Sequence, residues 1–259
     1  MTVKELYIAL ENKLPPLEIE GIDSDGIHTM PAPDRKVKKV LVALDPYEMA
    51  IKAAIDGGYD LLLTHHPLFW GEPIPSTPPE RWYNMLLKAE IASFSFHIRL
   101  DKAEGGVNDI LAQMLELDNI KTFDDPEITA IGRIGDLKCQ MTEVELAQFV
   151  KSKLGADSVT YTLLPDGRKI KKIAVLGGSA SDTIASAGLA GADAIVGGEF
   201  KHHTYGYSFV EANGRGISLI EAGHYHTEAP VCDRLRELVL EVIPDAQVDI
   251  LPCNNTFVI

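Results

Sequence analysis

Cysteine is scarce in this chain: Cys139, Cys232 and Cys253 are the three in 259 residues, odd in number, far apart and without a Cys-x-x-Cys pair. That excludes a disulfide framework and offers no thiolate zinc site, and it fits a reducing cytoplasm. Basic residues are also in deficit, with 24 Lys and Arg against 38 Asp and Glu, a formal net charge of −14. Proteins that wrap nucleic acid or sit on an anionic membrane need basic patches, so the charge disfavours both. The two densest basic stretches, Lys36, Lys38 and Lys39, then Arg168, Lys169, Lys171 and Lys172, each precede an apolar run, as solvated strand starts do. No run approaches the ~20 apolar residues that span a bilayer. Val3, Leu6, Tyr7, Leu10 and Leu14 recur at helical spacing among Lys4, Glu5 and Glu11, which marks an amphipathic helix rather than a signal peptide. A soluble, unprocessed, cytoplasmic protein is expected.

What is present is a hydrophobic content of 46%, enough for one large core or two smaller ones; the length favours two. An internal repeat gives a second reason. A shift of 133 positions lays Lys36-Val37-Lys38-Lys39-Val40-Leu41-Val42 over Lys169-Ile170-Lys171-Lys172-Ile173-Ala174-Val175. The same shift carries Ile51 onto Ile184, Ala54 onto Ala187, Gly58 onto Gly191 and Asp60 onto Asp193. Each copy reads as strand, helix, glycine-containing turn, strand. Helix-like stretches at Arg81 to Glu90 and Tyr207 to Ala212 then lead to apolar runs at Ile91 to Phe96 and Ile217 to Ala222.

Polar groups of one kind stand at the ends of these strands. Leu61-Leu62-Leu63-Thr64 stops at His65-His66-Pro67, while His97-x-x-x-Asp101 and His224-x-x-x-Glu228 each follow another apolar run. A lone histidine at a strand end is more often a satisfied polar residue than a ligand; three such clusters reverse that weighting. Neutral imidazole and carboxylate form a borderline donor set for zinc, iron(II), manganese or cobalt, and a carboxylate can bridge two ions. The reading is a two-metal site. The second copy also ends in metal-capable residues, Glu199 and then His202-His203.

Local signals place the connections. Gly71 to Pro79, with Pro73, Pro75, Pro78 and Pro79, reads as an exposed loop beside the histidine pair. Thr142 with Glu145 predicts a capping box opening a helix, Val159 to Leu164 a strand, and Pro165-Asp166-Gly167 its turn. Gly105-Gly106 predicts a helix from Val107, whose N-terminal amides could hold an anionic group. Ala229-Pro230 reads as the opening of a helix, putting Glu228 at a helix start.

The strand ending at Asp45, Thr64-His65-His66-Pro67-Leu68, His97-x-x-x-Asp101 with Gly105-Gly106-Val107-Asn108-Asp109, Gly198-Glu199-Phe200-Lys201, and Gly223-His224-Tyr225-x-Thr227-Glu228 together resemble the Nif-three-like proteins. Many of these carry the name GTP cyclohydrolase 1 type 2 homologue. Five separated segments occur in the family's order, over roughly positions 36 to 228. The resemblance implies two similar, interlinked α/β domains from an internal duplication, with the metal site in the cleft between them. Residues 1–125 and 216–259 would form the first domain, carrying most ligands, and 126–215 the second. It also implies a toroidal homohexamer and two divalent ions per subunit. His65, His66, Asp101, His224 and Glu228 would be the ligands, with Glu228 bridging, His66 and Asp101 completing one ion, and His65 and His224 the other. His97, His202, His203 and His226 become supporting or substrate-facing candidates. One departure stands near the start: where members usually carry a Trp-Asp-Asn-like segment, this chain has Leu17 to Gly26.

Metal-assisted hydrolysis of a nucleotide or another phosphoester follows as the expected activity, with His97 or Glu199 as general acid or base. Lys201 or Arg99 would meet substrate phosphate. The rival reading is a metal-binding scaffold or adaptor whose ions are structural.

Overall fold

The computed structural model describes residues 1–17, 24–71, 74–123, 131–164, 166–201 and 207–252. In chain order these form α1 (Val3–Lys13), β1 (Gly26–Thr29), β2 (Lys39–Ala43), α2 (Glu48–Asp56), β3 (Leu61–Thr64), α3 (Pro78–Lys88), β4 (Ala92–Ser95) and α4 (Ile98–Lys102). Next come α5 (Val107–Met114), β5 (Asp118–Thr122), β6 (Arg133–Met141), α6 (Glu143–Leu154), β7 (Thr160–Tyr161), β8 (Ile170–Ser179), α7 (Ile184–Leu189) and β9 (Ala194–Glu199). The last are α8 (Tyr207–Arg215), β10 (Ser218–Glu221), α9 (His224–Glu228), α10 (Val231–Val242) and β11 (Gln247–Ile250). The chain divides into two compact units. Met1–Leu100 and the stretch resumed at Val231 make one, and Asp101–Pro230 makes the other.

In the first unit the sheet order is β1-β4-β3-β2-β11. The central strands run parallel, with β1 antiparallel on β4 at one edge. Both faces of such a sheet are covered, so its strands read as continuous apolar runs; Leu61, Leu62 and Leu63 are all fully buried. Leu41, Ile51, Ala54, Leu62, Leu68 and Leu86 form the core on one side. Burying each such leucine contributes roughly 1.5–3 kcal/mol. α1 opens with the Thr2 and Glu5 capping box and buries Val3, Leu6 and Leu10, the periodicity read from the sequence. Pro78 and Pro79 occupy the first turn of α3, where a missing N–H costs nothing, so the proline-rich loop ends at Thr77.

The second unit repeats this plan at the level of strand register. Val40 lies beside Leu61 in the first sheet, and Ile173, 133 positions on, lies beside Ala194 in the second. Asp60 Oδ2 accepts from the Lys38 and Lys39 amides at 2.8 and 3.0 Å; Asp193 Oδ2 accepts from the Lys171 and Lys172 amides at 2.9 and 3.0 Å. Each third strand is paired antiparallel at its outer side, β4 with β1 and β10 with β7. Two antiparallel strands widen the second sheet, giving the order β5-β6-β8-β9-β10-β7.

The second unit takes in α5, β5, β10 and α9 in addition to the elements between Arg133 and Arg215. Leu111 and Ala112 of α5 and Ile220 of β10 share a core with Leu146, Val150, Ile173 and Val196, which is why the unit reaches beyond that span. Thr142 and Glu145 form the predicted capping box of α6. Of the expected strand at Val159 to Leu164, the pair Thr160–Tyr161 forms β7. As an edge strand it pairs with β10 alone; at Thr162 the backbone amide still donates to the Leu219 carbonyl at 3.0 Å, while the Thr162 hydroxyl accepts from the Leu219 amide at 2.8 Å. Pro165 lies outside the described residues.

Candidate metal centre

In the first unit, β3 ends at Thr64, whose hydroxyl donates to the His66 carbonyl at 2.7 Å, while the His66 amide donates to the Leu44 carbonyl at 3.0 Å. That tight turn leaves His65 with no exposed surface and His66 8% exposed. His65 Nδ1 lies 3.0 Å from the Phe96 carbonyl, and His66 Nδ1 lies 2.7 Å from Asp45 Oδ1. A carbonyl or ionised carboxylate oxygen can only accept, so Nδ1 carries the proton in both rings. In the neutral imidazoles the lone pair therefore sits on Nε2. Metal-binding histidines are oriented in this way, with the second nitrogen donating to a carboxylate or a backbone carbonyl.

His97 follows β4 and completes the group. Its ring centroid is 5.1 Å from that of His65 and 5.6 Å from that of His66, and the three side chains each offer a nitrogen within 4.8 Å of the others. The His97 amide donates to Asp25 Oδ2 at 3.0 Å. Asp25 in turn is gripped by Arg99 through two charge-assisted bonds of 2.7 and 2.6 Å. Arg99 is buried and also donates to the Leu14 carbonyl. This overturns the expectation that Arg99 meets substrate phosphate: its donors are spent inside the fold, where they fix the backbone at His97. Lys201 pairs with Asp182 at 3.1 Å.

In the second unit, His224 and Glu228 are the first and last residues of the one-turn helix α9, so Glu228 closes a helix rather than opening one. The spacing of four puts both on one face, with Nε2 of His224 3.0 Å from Oε2 of Glu228. Glu199, at the end of β9, brings Oε1 to 3.9 Å from His224 Nδ1. Beneath them runs Gly177-Gly178. A Cβ on Gly178 would meet Glu228 Oε1 at 2.2 Å and His224 Nε2 at 3.0 Å, and its φ of +63° already favours glycine. The 133-residue shift aligns Gly178 with Asp45. Where the first copy places a carboxylate, the second has no side chain, and the Glu228 carboxylate and the His224 ring stand in that space.

Asp101 is buried on α4. Its carbonyl accepts from Asn108 Nδ2 at 3.2 Å, and Asn108 Oδ1 accepts from the Gly177 amide at 2.8 Å, so one buried asparagine joins α4 to the end of β8. Just ahead of α5, the Gly105 amide donates to Asp109 Oδ2 at 2.8 Å, and Asp109 is paired with Arg133. Helix α5 thus carries its own anion in its first turn. His226 pairs with Asp157 at 3.6 Å. His202 and His203 lie outside the described residues.

The donor chemistry fits a divalent ion: three adjacent imidazoles in one unit, and an imidazole and carboxylate pair in the other. Sequence reasoning singled out these donors but missed the roles of Asp25, Asn108, Gly177 and Gly178. A signal for the glycines was present, since a Gly-Gly pair directly after an apolar strand marks a close backbone approach.

The family model for DUF34/NIF3 (NGG1p interacting factor 3) matches residues 1–256. The chain belongs to this family. A Clostridium perfringens protein named "GTP cyclohydrolase 1 type 2 homolog" is 31% identical, over 97% of this chain and 95% of its own. One of the same name from Streptomyces coelicolor is 31% identical over 89% of this chain and 83% of its own. Among solved structures, a Bacillus cereus protein related to NIF3 superimposes with a TM-score of 0.85 at 20% identity, covering 100% of this chain and 99% of its own; that likeness speaks for the fold. Reduced HcgD from Methanocaldococcus jannaschii gives 0.79 at 29% identity, with 97% and 98% covered. Among the described residues no helix is long and apolar enough to cross a membrane.

Proposed function

We propose that this chain is a metal-dependent hydrolase acting on a nucleotide or a related phosphoester, with His65, His66, Asp101, His224 and Glu228 holding two divalent ions. The observation that carries this reading is the pair of buried imidazoles whose Nδ1 protons are committed to Phe96 and Asp45. Such a tautomer makes Nε2 the metal-binding nitrogen of each ring, and His65, His66 and His97 each bring a ring nitrogen within 4.8 Å of the others. When bound, two divalent ions lower the pKa of a water molecule toward neutrality and polarise the bond under attack.

The remaining work falls to the chain. Asp45 and the Phe96 carbonyl hold the rings of His66 and His65 in orientation. His97, half-buried and backbone-anchored by Asp25, can accept or donate a proton at a ring nitrogen; Glu199, exposed at the end of β9, is the second candidate for that role. His97 and His224 are both partly open to solvent, which suits exchangeable coordination positions better than the closed shell of a structural ion. The names of the relatives point toward GTP as the first substrate to try.

The test is an assay of zinc-loaded and manganese-loaded protein against GTP and a panel of phosphoesters, with chelator-treated protein as control. Turnover that vanishes on chelation, and falls at least about 100-fold in His97→Ala or Glu199→Gln at full metal content, supports the reading. Metal-replete protein that turns over nothing on the panel contradicts it.

A further inference from the structure

Four residues beyond the histidine pair, Trp70 is 61% exposed. Its neighbours are not: Leu68 is buried, and Phe69 packs inward against Tyr83 and the first unit's core. The chain thus buries Leu68, half-buries Phe69 and then presents the largest of the three side chains to solvent. Indole exposure of this size forgoes much of the burial that so large an apolar side chain could gain.

That position is specific. The Trp70 ring lies 4.9 Å from the ring of His97 at an interplanar angle of 80°, and His97 belongs to the three-imidazole group. An edge-to-face contact occupies at most one face of the indole, leaving the other available. The backbone is held as well: the next residue, Gly71, turns the chain with φ +80°, and its amide donates to Ser24 Oγ at 2.8 Å. A pinned backbone carrying a two-torsion aromatic side chain is a preorganised surface, since little conformational freedom remains to be lost on contact.

We propose that Trp70 is the stacking surface for a planar heteroaromatic ring of the substrate, which makes it a determinant of substrate class. This rests on the metal-centre reading above, because it is His97 and its neighbours that place the reacting end of the substrate beside Trp70. A π-face recognises any nucleobase and rejects a bare sugar phosphate. The substrate class is therefore narrowed from phosphoesters in general to nucleotides or similar conjugated-ring phosphates.

The test uses zinc-loaded full-length protein and calorimetric titration with two probes, GMP and ribose 5-phosphate, which share a sugar phosphate and differ in the base. GMP is expected to bind about tenfold or more tighter than ribose 5-phosphate. Trp70→Ala should remove that advantage while leaving ribose 5-phosphate affinity and zinc content unchanged, and Trp70→Phe should restore most of it. GMP affinity unaltered in Trp70→Ala overturns the stacking role and leaves the metal-centre reading standing. A change of sedimentation in Trp70→Ala, with GMP affinity unaltered, would instead mark Trp70 as a subunit contact and also overturns the proposal. Binding of neither probe by native zinc-loaded protein overturns both readings.

Discussion

Gly178→Ala separates backbone strain from damage to the metal donors, because the fold supplies its own control. Gly178 and Gly155 have nearly the same φ, +63° and +61°, so an alanine at either carries the left-handed penalty, about 1–2 kcal/mol. Around Gly155, the C-cap of α6, a new Cβ meets nothing within 4 Å. At Gly178 it lands 2.2 Å from Glu228 Oε1 and 3.0 Å from His224 Nε2. Both are ends of side chains, so the clash is relieved by turning the carboxylate and imidazole aside rather than by moving backbone. The two variants should consequently lose similar stability, a fall of about 2–4 °C in Tm for each kcal/mol. Their zinc affinities should differ sharply: Gly178→Ala should fall about 10–100-fold or more, the scale of a disturbed donor environment, and Gly155→Ala should stay at the native value. Thermal melts of the metal-free proteins and competitive zinc titrations read the two quantities separately. Equal zinc affinity in both variants would refute the assignment of Glu228 and His224 as ligands.

Other outcomes follow from single contacts. Asp45→Asn keeps an acceptor for His66 Nδ1 but removes the charge, so zinc affinity should fall about tenfold with little change in Tm; competition against a chromophoric chelator checks it. Asp60→Ala and Asp193→Ala each remove a carboxylate that accepts two backbone amides. Each should cost about 1.5–3 kcal/mol in urea unfolding, and markedly unequal costs would contradict their equivalence as repeat positions. Burial lowers the pKa of His28 from 6.5 to about 4, the Asp25 charge opposing it, and its Nε2 accepts from the Leu68 amide at 3.3 Å. The unfolded chain therefore takes up this proton before the folded one does. His28 stabilises the fold fully above about pH 6.5, and that contribution is lost as pH falls toward 4, up to roughly 3 kcal/mol. His28→Gln should flatten the pH dependence of stability in that window.

What the sequence made legible was local or periodic. Thr142 and Glu145 announce their helix because the box closes within one turn. The two copies are recognisable because parallel strands buried on both faces leave continuous apolar runs, and Asp60 and Asp193 recur where each copy ties down its first strand. The donors stood out because histidine and carboxylate at strand ends are unusual in an apolar setting. Less visible were interactions spanning long sequence separations. Arg99 and Asp25 are 74 positions apart, and nothing near Arg99 signals that its charge is internal. Pro230 marks a helix start and draws Glu228 toward it, whereas the one-turn helix that Glu228 closes is too short to show a period. The trimming of Val159 to Leu164 reflects an edge strand that meets β10 alone. Gly178 is legible in hindsight as the position aligned with Asp45, where the absence of a side chain makes room for donors from another part of the chain.

Elemental analysis of protein purified without added metal tests the central claim most directly. The account predicts two equivalents of divalent metal per chain, falling to one or fewer in both His65→Ala and Glu228→Gln while the fold persists by circular dichroism. Native protein that retains no stoichiometric metal even after incubation with zinc, or variants that keep both ions, would contradict it.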